Sequence, residues 1–96
     1  MRLRWTTEAL GDLDRLIYFL IGKDPKAALS AINTIENAAA QLPGAPEIGT
    51  ALNDGTPRRE LYIKFGKNGY TLRYVPDYEA SLIYILRAWH SREERD

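Results

Sequence analysis

His90 is the one side chain whose free pKa lies near neutrality, which makes it the first candidate for moving a proton. It sits in the run Arg87-Ala88-Trp89-His90-Ser91-Arg92, where two guanidinium groups, an indole and an imidazole crowd together. Arg59 and Arg73 lie upstream, and guanidinium forks match phosphate or carboxylate oxygens in a way a lysine does not. Tyr62, Tyr70, Tyr74, Tyr78 and Tyr84 interleave with these arginines. Cations for phosphates and rings for bases make a nucleic-acid surface one reading. Ordinary strand packing of the tyrosines, and a histidine that closes a hydrogen-bond network at a strand end, make the other.

Other chemistries find little to work with. The chain has no cysteine and a single histidine, so neither a disulfide framework nor a usual structural zinc site is expected, and no metal or cofactor is assigned. Asp12 with Asp14 and Asp77 with Glu79 are close acid pairs, the first split across helix faces and the second in a turn. Neither resembles a magnesium or glycosidase pair. Gly44, Gly49 and Gly55 are too widely spaced for a phosphate-cradling turn.

The element that must position the arginines is Arg59 to Arg92. Gly66-Lys67-Asn68-Gly69 and Pro76-Asp77-Tyr78-Glu79 cut it into three extended runs, near 59–65, 70–76 and 81–89, and runs joined by short turns pair as an antiparallel meander. Leu61, Ile63 and Phe65 share the face suited to a core, while Glu60, Tyr62 and Lys64 share the other. Ser81 to Trp89 is apolar almost throughout, as a central strand would be. Arg59, Arg73 and Arg87 fall one in each run and are expected to meet across adjacent strands. With unbroken alternation Arg87 and Trp89 share one face, and His90 shares the other with Leu86 and Ala88. Arg87 and His90 then form no same-face dyad unless the strand breaks near Ala88.

The N-terminal half reads as helices. Arg2 to Trp5 alternates basic and apolar, predicting a short strand that joins the sheet. Thr6 or Thr7 caps a helix near 7–21, with Glu8 in its first turn and Ala9, Leu13, Leu16, Ile17 and Leu20 on one apolar face. Asp12 and Arg15 are expected to pair on the opposite face. Asp24 and Pro25 open a second helix near 25–42, with Ala28, Ile32, Ile35, Ala39 and Leu42 in a stripe. Gly22-Lys23-Asp24 leaves room only for an antiparallel hairpin. Leu10, Ile21 and Leu29 fall beside the two stripes, so the hairpin is either the wall of a broad core or a groove awaiting a partner. Leu42 to Pro57, rich in proline and glycine, is a loop from helix to sheet.

Length and composition set the class: 96 residues, 45% hydrophobic, suit one domain spanning 1–96. Neither a membrane span nor a signal-peptide core is present, and a soluble, cytoplasmic chain is expected. The formal net charge is +0, yet residues 58–92 carry seven basic side chains against three acidic ones. The balance lies in residues 1–57 and in Glu93-Glu94-Arg95-Asp96, which predicts a basic sheet beside a mildly acidic helical half. An ordinary solvated charged surface is the alternative.

Trp5-Thr6-x-x-Ala9-x-x-Asp12-Leu13-x-x-Ile17, then Arg59-Glu60-Leu61, Tyr70-x-x-x-Tyr74 and Ile85-Leu86-Arg87-Ala88-Trp89-His90-Ser91-Arg92 together resemble the ParE branch of the RelE/ParE toxin superfamily. The resemblance covers nearly the whole chain. It implies an α+β fold, an N-terminal helix hairpin packed on a small, mainly antiparallel sheet, which agrees with the periodicities above. It also implies a type II toxin–antitoxin system, of the kind tied to plasmid stabilisation. The cognate ParD-like antitoxin would lay a flexible segment over the toxin, with Leu10, Leu13, Ile17, Ile21, Leu29, Ile32 and Ile35 as candidate contacts. Operator DNA would be reached only through the antitoxin.

ParE members poison DNA gyrase, and the candidate target contacts here are Arg59, Arg73, Arg87, Trp89, His90 and Arg92. RelE members instead cleave ribosome-bound messenger RNA without a metal, which would make Arg73, Arg87 and His90 the catalytic set. The lysine-rich run of RelE is reduced here to Lys64 and Lys67, and no tyrosine follows Arg87. An inactive homologue kept as an antitoxin-binding module is the remaining alternative.

Overall fold

The computed structural model describes residues 1–93. The elements follow in the order β1 (Arg2–Trp5), α1 (Thr7–Ile21), α2 (Pro25–Ala40), a 3-10 turn (Leu42–Gly44), β2 (Thr50–Ala51), β3 (Arg59–Phe65), β4 (Asn68–Asp77) and β5 (Leu82–His90). The sheet runs β1-β5-β4-β3-β2, antiparallel except where β1 lies parallel to β5. Both helices pack on one face of it, α1 over β5 and α2 over β3, giving the expected α+β architecture.

Local chemistry explains the helix ends. The Thr6 hydroxyl accepts the Ala9 amide at 3.1 Å and donates to the Ile85 carbonyl at 2.9 Å, so the cap that starts α1 also ties it to β5. Asp24 accepts from the amides of Lys26 and Ala27 at 3.1 and 3.3 Å, with Pro25 at the first helical position. α2 closes at Ala40, short of the expected 42, because Pro43 disfavours helical geometry in the residue before it and Leu42 to Gly44 turns as 3-10 instead.

The turns set the register. β3 and β4 pair from Phe65 opposite Asn68, leaving Gly66 and Lys67 as a tight hairpin turn with Gly66 at φ +62°, a conformation glycine adopts without strain. The second turn lies at 78–81, later than the predicted Pro76 to Glu79, because Pro76 is still in β4 opposite Ile83. A proline is tolerated there: the pairing of β4 with β3 ends at Tyr74, so β4 has a neighbour on one side only.

The core forms between helices and sheet. Ala9, Leu16, Ile35, Ala39 and Leu42 meet Ile63, Tyr70, Leu72, Tyr74, Ile83, Ile85 and Ala88. Leu61 and Phe65 flank it, as the alternation of β3 predicts. Tyr74 is fully buried and its hydroxyl donates to the Pro46 carbonyl and accepts the Gly49 amide, both at 2.8 Å. That hydroxyl fastens the proline-rich loop to the sheet.

Candidate functional site

The face of the sheet opposite the helices carries two rows of cross-strand partners. Glu60, Arg73 and Arg87 form one; Tyr62, Thr71 and Trp89 form the other. Arg73 donates from Nε and Nη2 to one Glu60 oxygen at 3.0 and 2.7 Å, and its guanidinium lies 5.0 Å from the centre of the Trp89 ring. The indole lies against the cation and the carboxylate neutralises it. Tyr62 is exposed and lies over Gly69, where a methyl group would fall 2.6 Å from the tyrosine hydroxyl.

The alternation of β5, expected to run unbroken, is interrupted at Leu86, two residues before Ala88. Arg73 pairs with Arg87 but Tyr74 pairs with Ile85, so Leu86 is an extra residue in a bulge. The bulge lets Ile85 and Ala88 both face the core, and Arg87 leaves it. The bulge lies before Arg87, so alternation is unbroken from Arg87 to His90 and the expected separation of the two holds.

Beyond Trp5 the strand β1 no longer covers β5, and α1 takes its place. Asp12 accepts the Ala88 amide at 2.9 Å, and Arg15 donates to the Ala88 carbonyl at 3.3 Å. Arg87 reaches the same carboxylate through Nε at 2.8 Å and Nη2 at 3.2 Å, and Arg15 adds a contact at 3.1 Å. Burial pushes the Asp12 carboxyl up, but the hydrogen bonds from Arg87 and Ala88 and the charges of Arg87 and Arg15 outweigh it and hold its pKa below the ordinary value. Asp12 does pair with Arg15 as expected, but from the core-facing side of α1, not the solvent face.

Glu93 extends this network. It accepts the His90 amide at 2.7 Å and receives Arg15, so the segment after β5 is tied back to α1. The His90 ring packs edge-on against Tyr70 with centroids 5.3 Å apart, and its Nδ1 accepts the Arg92 amide at 3.1 Å. His90 thus closes a hydrogen-bonded strand end, on the helix side of the sheet. Arg92 is exposed next to it. The rest of the acidic tail, Glu94, Arg95 and Asp96, lies outside the described residues.

Two groupings drawn from the sequence need correction. Arg59 does not join Arg73 and Arg87: it pairs with Tyr74, and its guanidinium donates to the Glu47 and Gly49 carbonyls at 3.2 and 2.7 Å. Glu60 takes the position opposite Arg73, and Arg59, one residue earlier on β3, falls on the other face. The tyrosines are not a shared nucleic-acid surface either, since Tyr70 and Tyr74 are buried in the core, with burial pushing both hydroxyl pKa values up. Tyr62 and Tyr84 remain on the outer face, and Tyr78 bonds Glu47 at 3.1 Å near the loop.

The partners of the arginines were what sequence reasoning missed. Glu60 opposite Arg73 follows once the hairpin turn is known to be Gly66 and Lys67, so that signal was present. Asp12 flanking Leu13 in an apolar stripe was a second signal, while nothing in the tail marked Glu93.

On the hairpin, Ile17, Ile21, Pro25, Ala28, Leu29 and Ile32 line an open, almost wholly apolar groove of about 300 Å³. Ile21 and Leu29 are more than half exposed, as are Tyr18 and Phe19 on α1, and Leu10 is half exposed. Leu13 and Ile35, by contrast, are core residues and cannot serve as surface contacts: Ile35 is 0% exposed. Among the described residues no three His, Asp or Glu side chains gather to hold a metal ion, and no helix is long and apolar enough to cross a membrane.

Comparison with known proteins places this geometry. The family model for the ParE toxin of type II toxin-antitoxin system, parDE, matches residues 3–95. Toxin RelE1 of Caulobacter vibrioides is 34% identical over 90 residues, covering 94% of this chain and 92% of the relative. Toxin RelE3 of the same organism is 37% identical over 86 residues, 88% and 87% of the two chains. A chain of the chromosomal ParDE TA system from P. aeruginosa superposes with a TM-score of 0.71 at 24% identity, covering 98% of this chain and 97% of that one.

Proposed function

Because the chain belongs to the ParE toxin family of type II toxin–antitoxin systems, we propose that it arrests growth by binding DNA gyrase and is neutralised by a ParD-like antitoxin. The antitoxin lays an apolar segment along the groove between Ile17, Ile21, Leu29 and Ile32. Covering exposed apolar surface supplies the drive for that contact, and helix-in-groove recognition suits its shape.

The observation that carries the gyrase reading is the separation of the would-be catalytic groups. Arg73 is neutralised by Glu60 and Arg87 by Asp12, while His90 sits on the opposite side of the sheet with Nδ1 engaged by the Arg92 amide. Phosphodiester cleavage needs a proton donor or acceptor and a cation converging on one phosphate. A docking surface needs no such convergence: Arg73, Trp89, Arg87 and Arg92 can serve as contacts to gyrase or to its cleaved DNA.

A second reading, ribosome-dependent RNA cleavage, draws support from the names of the Caulobacter relatives, both RelE toxins. Inducing the chain alone and following DNA and protein synthesis separately discriminates the two, with purified gyrase and ribosome-bound message assayed in parallel. The expected result is early loss of DNA synthesis with gyrase-dependent strand breaks. Immediate translation arrest with cuts in bound message moves the assignment to RNA cleavage, and tight antitoxin binding without growth arrest marks an inactive homologue.

A further inference from the structure

Glu60 is placed as a ligand would be. One of its oxygens receives both Nε and Nη2 of Arg73, at 3.0 and 2.7 Å, the two-donor edge that guanidinium groups offer to an oxyanion. Trp89 fixes the other side of the same cation, with the ring centre 5.0 Å away. The Arg73 side chain is only 16% exposed, so its direction is set by the packing and its donor edge is preorganised. Around it the outer face is basic and aromatic: Arg87 is its partner on β5, Lys64 lies further along β3, and Tyr62 stands exposed one row away. This is the composition of a single-strand nucleic-acid surface, a cation for the phosphate with a ring within reach for a base.

We propose that Arg73 and Trp89 form an anion subsite for a phosphodiester, and that Glu60 is the built-in counter-anion that keeps it closed, so that Glu60 sets the affinity of this face for single-stranded nucleic acid. A phosphate and the Glu60 carboxylate compete for one donor edge, and both cannot occupy it without like-charge repulsion. The subsite lies on the face discussed above but does not depend on which cellular target is correct, because it is read as binding by the purified chain.

The experiment measures binding of labelled, short single-stranded RNA and DNA of the same sequence, by fluorescence anisotropy over a range of salt. Glu60→Gln keeps an acceptor for Arg73 and removes the charge, and Glu60→Ala clears the donor edge altogether. Glu47→Gln, which removes one exposed negative charge beside Arg59, reports the effect of net charge alone. Circular dichroism and a melting curve confirm that each variant is folded.

The expected result is a gain of about tenfold at low salt for both Glu60 variants over the native chain, with the salt dependence steeper by about one phosphate contact. The gain should be absent in Glu47→Gln and lost when Arg73→Gln is added to Glu60→Gln. A gain with both RNA and DNA assigns the backbone phosphate as the ligand, and a gain with RNA alone assigns RNA; each upholds the closed subsite. Folded Glu60 variants that bind neither strand better than the native chain overturn it. So does an equal gain in Glu47→Gln, or a gain that survives the loss of Arg73.

Discussion

A carboxylate oxygen of Asp12 accepts the Ala88 backbone amide at 2.9 Å, so that a side chain of α1 stands where a neighbouring strand would be. β1 pairs with β5 only as far as Trp5 opposite Ile85, and the edge beyond is satisfied by Thr6, Asp12 and Arg15. An unsatisfied strand edge is costly when buried and sticky when exposed. The same carboxylate steers Arg87 toward α1, which couples the seam of the fold to the surface that carries the arginines.

Replacing Asp12 with alanine should therefore destabilise the fold by about 2 kcal/mol, a figure kept modest because both arginine partners are partly solvated. Asparagine keeps an acceptor for the Ala88 amide and should cost roughly half as much, about 1 kcal/mol. Urea unfolding at neutral pH measures both.

The depressed Asp12 pKa gives the sign of its pH dependence. Its native carboxylate titrates lower than in the unfolded chain, so its contribution is complete above the ordinary carboxylate range and is lost as pH falls through the native pKa. Stability measured from neutral pH into acid should fall less steeply in Asp12→Asn than in the native chain. Parallel acid limbs for the two proteins would remove Asp12 from this role.

Tyr74→Phe should cost about 1–2 kcal/mol, because it strands the buried Gly49 amide and releases the Pro46 carbonyl. The loss should be local as well as global, with faster hydrogen exchange at Gly49. Gly49→Ala should also destabilise, since the added methyl would lie 2.7 Å from the Tyr74 ring and 2.8 Å from the Glu60 carbonyl.

Leu29 and Ile35 lie on the same helix and should behave oppositely. Leu29 is 65% exposed, so Leu29→Glu should leave the melting temperature nearly unchanged and weaken antitoxin binding by at least about tenfold. Ile35→Ala removes a fully buried side chain and should cost about 2–4 kcal/mol, whatever the partner does. Calorimetric titration and thermal melts of the two variants check this; a Leu29 variant that binds as the native chain does would place the antitoxin elsewhere.

His90→Gln retains an acceptor near the Arg92 amide but cannot titrate. Growth arrest should stay within about an order of magnitude of the native chain if the residue acts through structure and contact. A folded variant as inactive as Arg87→Ala would instead assign His90 a proton-transfer role.

How far the sequence reached depended on whether the determinant was local. Asp24-Pro25 marks a helix start by chemistry within a few residues, and Leu61, Ile63 and Phe65 declare their face by alternation alone. The bulge at Leu86 has no such marker, because an apolar strand reads the same with or without an extra residue. The role of Asp12 was hidden for a related reason: its nearest visible partner was Arg15, while the amide that draws it inward is 76 residues away. Leu13 and Ile35 show the limit of apolar stripes, which say that a surface is covered but not by what. Glu60 opposite Arg73 was accessible, provided that the hairpin turn was taken as two residues rather than four.

The parallel pairing of β1 with β5 also imposes an order in time. Thr6 finds its acceptor on Ile85, 79 residues later, so the seam cannot close while the chain between them is still being synthesised. At ordinary elongation rates of 5–20 residues per second that interval is roughly 4–16 s. Throughout it the first strand waits unpaired, and the bulged strand bearing Arg87 and Trp89 has yet to emerge. The face that carries Arg87 and Trp89 is thereby completed only when translation of the fold is nearly finished, whereas the hairpin of α1 and α2 can be made much earlier.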